Sequence, residues 1–162
     1  MERACELAGF FAAHAVWCVS DGEVLIPIFA SNGPGEKRQM DRLVTDRLED
    51  GVAKGRERLD GNHHGAEVAV LIHDGFVSLP TGRTDALLVD IRDYQSNSAL
   101  SLAVPYRNGG HQAGFAVFRP KFLSCSGLEA PNYTILGEAF FRGVDCHEQG
   151  AAVWNKHLDQ SK

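Results

Sequence analysis

Period-two patterning between residues 67 and 122 constrains this chain more than any other feature. Val68, Val70 and Ile72 recur at every second position, as do Leu87, Val89 and Ile91, and then Leu100, Leu102 and Val104. A strand with one buried face requires this spacing, because successive side chains point to opposite sides of a sheet. Turn residues separate the runs. Asp74-Gly75 is a favoured two-residue hairpin turn, since both positions tolerate positive φ. Residues 76–79 then read as the returning strand and Thr81-Gly82 as the next turn. Residues 84–94 read as a long strand, with Leu87, Val89 and Ile91 on one face and Thr84, Asp90, Arg92 and Tyr94 on the other. After Asn108-Gly-Gly110 the chain returns through residues 115–122. The outcome is an antiparallel meander.

Helical spacing flanks the meander. Leu7, Phe11, Ala15 and Cys18 form an i, i+4 stripe over residues 3–18, with Ala4 and Ala8 beside it. Phe10 and Trp17 widen the stripe, so this helix is expected to be covered on more than one side. Asp21-Gly22 ends it. Residues 24–30 read as a short strand that Pro27 confines to an edge or a bulge. Residues 31–35 (Ser-Asn-Gly-Pro-Gly) form a turn, and residues 37–44 return as a hairpin partner. Thr45 is the expected N-cap of a middle helix over 45–60, with Leu48, Val52 and Leu59 as a thin apolar stripe and Gly61 as its stop. Gly51 and Gly55 lower its propensity and permit close packing on the sheet. Lys54, Arg56, Glu57 and Arg58 make an ordinary solvated face. Near the C-terminus, Leu136, Phe140 and Val144 give a short helix ended near Gly143. Asp145 and Glu148 then resemble a capping box for a last helix docked by Val153, Trp154 and Leu158. The expected architecture is one α+β domain over residues 1–162. A meander-rich antiparallel sheet packs in two layers with an N-terminal helix, a middle helix and C-terminal helices.

Composition bounds the function classes. The 162 residues are 44% hydrophobic and 23% charged, enough apolar material to exclude wholesale disorder. A net charge of −5 argues against a surface that grips nucleic acid throughout, so nucleic acid is not an expected partner. The most apolar stretch, residues 7–19, is shorter than the roughly 20 residues of a bilayer span, and His14 interrupts it. Glu2 and Glu6 near its start do not suit a signal peptide, and Trp17 stands where a lipoprotein site wants a small residue. A buried helix in a cytoplasmic protein, with no membrane, is the expectation. Cys5, Cys18, Cys125 and Cys146 contain no C-x-x-C pair, which leaves zinc-ribbon and thioredoxin readings without their basic unit and favours free thiols.

Four constellations carry candidate chemistry. Cys146-His147-Glu148 offers a thiol near a helix start, but adjacent helical residues point about 100° apart and do not pair directly. His63-His64, near His73, lacks the H-x-x-x-H spacing of a metal site. Asp74, Asp85 and Asp90 with Arg92 loosely suggest a metal-dependent nuclease, yet arginine replaces the lysine such a site uses, and Asp85 and Asp90 fall on opposite strand faces. The fourth is a surface. With residues 108–114 closing a hairpin, Phe118 and Phe122 are expected to share the face of Leu100, Leu102 and Val104, while Arg107, Arg119 and Lys121 with Val117 form the other. Tyr94 and Tyr106 stand nearby, and arginine with aromatics is interface chemistry. Phosphate-loop, dinucleotide, nucleophile-elbow and zinc-protease motifs do not occur. No metal or cofactor is expected. The sequence thus reads as a small protein-interaction or accessory module, such as an inhibitor, an adaptor or an oligomeric scaffold. Its binding residues are Tyr94, Tyr106, Arg107, Arg119 and Lys121, and its partner is another protein or a second copy of the chain. The alternatives are a hydrolase using Asp74 and Asp90 or Cys146, and a small-ligand binding domain with a pocket between sheet and helices.

Overall fold

The computed structural model describes residues 1–33, 35, 37–80 and 82–161. The elements are α1 (Glu2–Ser20), β1 (Ile28–Asn32), β2 (Arg38–Arg42), α2 (Leu48–Gly61), β3 (Val68–Leu79) and β4 (Gly82–Asp93). They continue as β5 (Ser98–Arg107), β6 (Ala116–Phe118), β7 (Lys121–Ser126), α3 (Tyr133–Asp145), α4 (Glu148–His157) and β8 (Leu158–Asp159). One sheet runs in the order β2-β1-β3-β4-β5-β6-β8, and β7 pairs with β5 alongside β6. Its pairings are antiparallel except β6 with β8. The class is α+β, with helices at the N-terminus, in the middle and near the C-terminus.

Leu87, Val89, Ile91, Leu100, Leu102 and Val104 are all buried in the main core, as their spacing requires. That core lies on one face of the sheet, called here the helical face. It unites these residues with Leu7, Phe11 and Val16 of α1, Leu136 and Phe140 of α3, and Trp154 of α4. The expected two-layer arrangement is therefore incomplete. Because α1 is apolar well beyond one stripe, it is covered by the sheet on one side and by α3 and α4 on the other. The opposite, outer face carries a second, smaller core of Phe29, Leu43, Ala69 and Leu71 beneath Leu59 of α2. Gly55 makes that approach possible, since a Cβ there would lie 2.3 Å from Leu71 Cδ1.

Several local expectations are corrected. Asp74-Gly75 is not a turn. β3 passes straight through it, with Asp74 opposite Leu87 and Gly75 opposite Ala86, and the strand reverses between Leu79 and Gly82. Gly75 serves close approach instead, because a Cβ there would meet Leu88 Cδ1 at 2.8 Å. Thr81 and Pro34, which belong to the expected turns, lie outside the described residues. The strand expected over 24–30 begins only at Ile28. Pro27 has no N–H to donate, and its carbonyl accepts from Leu43 N–H at 2.8 Å. Thr45 does not cap α2, because its hydroxyl donates to the Arg47 carbonyl and the helix starts at Leu48. Gly61 is the last residue of α2, and Asn62 in the left-handed region (φ 44°) forms the stop. Asp145 closes α3, and His147 rather than Asp145 caps α4.

The correction that matters most for function concerns residues 117–122. Val117 pairs with Tyr106 and is buried in the main core, so Phe118 falls on the outer face, against expectation. Phe122 pairs with Leu102 and packs on the main core as expected. Regular alternation would put Phe118 and Phe122 on one face. The strand breaks at Arg119-Pro120, where proline cannot donate to a ladder, and the register against β5 advances by one residue.

Candidate binding site

The strand break divides the residues singled out in the sequence. Tyr106 is buried, and its hydroxyl donates to Asp74 Oδ1 at 2.9 Å. Burial, together with the Asp74 and Asp85 carboxylates, raises its pKa well above the ordinary phenol range. Arg107 follows on the outer face. Its Nε donates to the Gly114 carbonyl at 2.9 Å and its terminal nitrogen to the Ala113 carbonyl at 3.3 Å, which braces the loop between β5 and β6. Lys121, opposite Ala103 in β7, also takes the outer face. Arg119 sits in the break, exposed, and donates to Gln160 Oε1 at 2.8 Å. It lines a cleft on the helical face together with Phe122 and Phe140. Tyr94 lies at the other end of β4, where its hydroxyl donates to the Leu59 carbonyl at 2.6 Å beneath α2. Burial pushes that phenol up to about 12. The fold brings Tyr106 and Arg107 together and keeps Tyr94, Arg119 and Lys121 apart from them.

Tyr106 and Arg107 line an open cleft of about 470 Å³ at one end of the sheet, between β4, β5, β6 and the loop after β5. Arg83, Asp85 and His111 line it as well, as does the edge of Phe118. The Arg83 guanidinium lies 3.6 Å above the Phe76 ring, a cation–π contact that holds the side chain out along β3. The Arg107 guanidinium lies 5.9 Å from the Phe118 ring centre. Among the described residues neither arginine makes an ion pair, whereas Arg3, Arg58 and Arg92 do. His111 Nδ1 accepts from Ala113 N–H at 3.3 Å. Arg83 and His111 are the members of this cleft that sequence reasoning missed. Arg83 next to Gly82 read as turn flank, and its position near the end of β5 follows only from the pairing of β4 with β5.

The alternative catalytic groups do not converge. Asp74, opposite Leu87, lies on the helical face, whereas Asp90, opposite Leu71, lies on the outer face and accepts from the Ser101 hydroxyl at 2.6 Å. Burial raises the Asp74 carboxyl, against the opposing hydrogen bonds from Tyr106 and Gly75. Arg92 is paired with Asp60 at 3.0 Å. Cys146 is exposed at the end of α3. Its neighbour His147 has both ring nitrogens engaged: Nδ1 accepts from Gly150 N–H at 3.0 Å, and Nε2 lies 3.1 Å from His14 Nδ1. An imidazole held this way is not placed to take a proton from the adjacent thiol. Burial pushes the Cys5 thiol up to about 12, far from thiolate chemistry. Among the described residues no group of three or more His, Cys, Asp or Glu side chains gathers around a metal-sized space, and no helix is long and apolar enough to cross a membrane.

No protein family, no curated protein and no solved structure matches this chain. The geometry of the clefts carries the functional reading.

Proposed function

We propose that this protein is a binding module, an inhibitor, adaptor or scaffold, that docks an acidic segment of a partner protein in the cleft bounded by Arg83, Arg107 and His111. One observation carries the reading. Two guanidiniums from neighbouring strands stand at an open cleft without a carboxylate partner among the described residues, in a chain whose net charge is −5. That charge is not neutralised by an ion pair among the described residues, and it steers an acidic partner toward that end of the molecule. The Phe118 ring, which lines the cleft beside the Arg107 guanidinium, supplies the apolar surface that interface arginines commonly use. A cytoplasmic location belongs to the same proposal. It is supported by four unpaired cysteines, one of them deep in the core.

The test is a double charge reversal, Arg83→Glu with Arg107→Glu, compared with Lys121→Glu on the outer face. Cross-linking and affinity capture from the source cell, quantified by mass spectrometry, should recover a partner with the native chain and with Lys121→Glu, and lose it with the double variant. Equal recovery by all three chains would place the binding surface elsewhere.

A further inference from the structure

A second cleft lies on the helical face, between α3 and the strand break, about 320 Å³ in volume. Its walls are apolar: Leu102 of β5, Phe122 of β7, Phe140 and Phe141 of α3, and Leu158 of β8. Arg119 and Gln160 close one end, joined by the 2.8 Å hydrogen bond. Arg119 makes no ion pair among the described residues, so an unneutralised guanidinium stands at the rim of a greasy slot. Gly137 faces the slot one helical turn before Phe141, and a Cβ built on it meets no heavy atom within 4 Å. Nothing in the fold requires glycine there. Its φ is not positive and no neighbour crowds it, while glycine in a helix interior costs about 0.5–1 kcal/mol relative to alanine. The unfilled space at 137 is the room a ligand would use.

We infer that this cleft binds a small amphipathic acid, with its apolar body between Phe122, Phe140 and Phe141 and its carboxylate on Arg119. The charge at the rim selects the acid over an alcohol or a cation, and the guanidinium plane suits two-point contact with a carboxylate. Volume sets the size. At about 30 Å³ per water-sized group, the slot takes roughly ten heavy atoms, which matches an eight-carbon carboxylic acid. On binding, Gln160 would exchange its hydrogen bond with Arg119 for one to the solvent or to the ligand head. This site shares no lining residue with the basic cleft at the C-terminal end of β5, and neither proposal depends on the other.

Isothermal titration calorimetry with octanoate, octanol and octyltrimethylammonium tests the inference on the full chain. Saturable one-to-one binding is expected for octanoate, about tenfold tighter than octanol, since the charge-assisted contact is absent from the alcohol. The cation should not bind. Arg119→Gln should remove the preference for the acid and leave octanol unchanged. Gly137→Phe should abolish binding of both while keeping the native melting transition, because it fills open space rather than packed core. Trp154 meets Phe140 and Phe141 edge to face with ring centres 6.1 and 6.0 Å away, so its fluorescence in a Trp17→Phe background offers a second readout. Failure of octanoate to saturate, an acid that binds no better than the alcohol, or full binding by Gly137→Phe would each overturn the assignment.

Discussion

Gly137 and Gly143 sit in the same helix with opposite surroundings. A Cβ on Gly137 would enter empty space, whereas one on Gly143 would lie 1.9 Å from the Glu6 carbonyl oxygen of α1. Gly9 answers from the other helix, where a Cβ would lie 1.8 Å from the Phe140 carbonyl oxygen. The seam between α1 and α3 is thus a contact of backbone with backbone, closed by two facing glycines. The far side of α3 is left open. Within one helix, the same residue type is obligatory on one side and vacant on the other.

Gly143→Ala decides whether the seam is as tight as this geometry says. Helix propensity alone favours alanine by about 1 kcal/mol. The obstructing atom is a backbone carbonyl that no rotamer change can move, so the helices must separate or tilt. We expect a net loss of about 3 kcal/mol or more, at the upper end of overpacking costs. Thermal denaturation should register a fall of at least about 6 °C, at roughly 2–4 °C per kcal/mol for a chain of this size. A melting point at or above that of the native protein would show that α1 and α3 do not touch in this way.

Gly55→Ala sharpens the comparison by changing what stands in the way. The nearest atom to a Cβ at 55 is Leu71 Cδ1 at 2.3 Å, the end of a side chain that can rotate. The smaller core beneath α2 holds only a handful of residues, so it has freedom to repack. A loss of about 1–2 kcal/mol is expected, clearly less than at 143. Equal losses at the two positions would mean that side-chain and backbone obstruction are equivalent here, and the distinction between the two seams would fall.

Much of this was legible in the sequence, and the gaps have physical causes. Strand faces were readable wherever alternation ran unbroken, as in Leu87, Val89 and Ile91, because period two leaves a single consistent choice. The faces of Val117 and Phe118 were misread because a register shift at Arg119-Pro120 has no periodic signature. It is visible only once β5 supplies the partner residues. Asp74-Gly75 misled for a related reason: a glycine needed for close approach to Leu88 looks the same in one dimension as a turn glycine. Gly55 was readable as a packing residue, whereas the pairing of Gly9 with Gly143 joins positions far apart in the chain. The basic cleft was half legible. Arg107 stood out, but Arg83 and His111 enter it through strand pairing and a loop path that composition does not encode.

Gly137→Ala should reverse the sign seen at 143. With no atom within 4 Å of the new Cβ, only the backbone term remains, and stability should rise by about 0.5–1 kcal/mol. A chemical denaturation midpoint that shifts upward without a change in slope would establish this. A loss at 137 would instead mean that α3 is crowded on both sides, and the space assigned to a ligand would not exist.

The smallest effect tests where the α1 seam continues onto α4. Gly150 packs against Ala13, with a Cβ position 2.5 Å from the Ala13 carbonyl oxygen, and the joint is finished by His14 and His147. His147 Nδ1 accepts the Gly150 N–H, so that nitrogen carries no proton and Nε2 is the donor to His14 Nδ1. This chain of bonds requires both imidazoles to be neutral. Burial lowers the pKa of each, and for His14 the facing His147 and then Arg42 lower it further. The sign follows from linkage. Below the ordinary imidazole value of about 6.5 the unfolded chain takes up protons that the folded pair resists, so stability is fully present above that pH. It declines as pH falls from about 6.5 through the lowered folded values. His147→Asn keeps an acceptor at the cap, since asparagine is a favoured N-cap, but removes one titrating ring. At pH 7.5 the variant should lose less than the roughly 1 kcal/mol of a deleted cap. Between pH 6.5 and 5 its stability should fall less steeply than that of the native chain. Parallel pH profiles for the two proteins would show that the histidine bridge contributes nothing to the joint between α1 and α4.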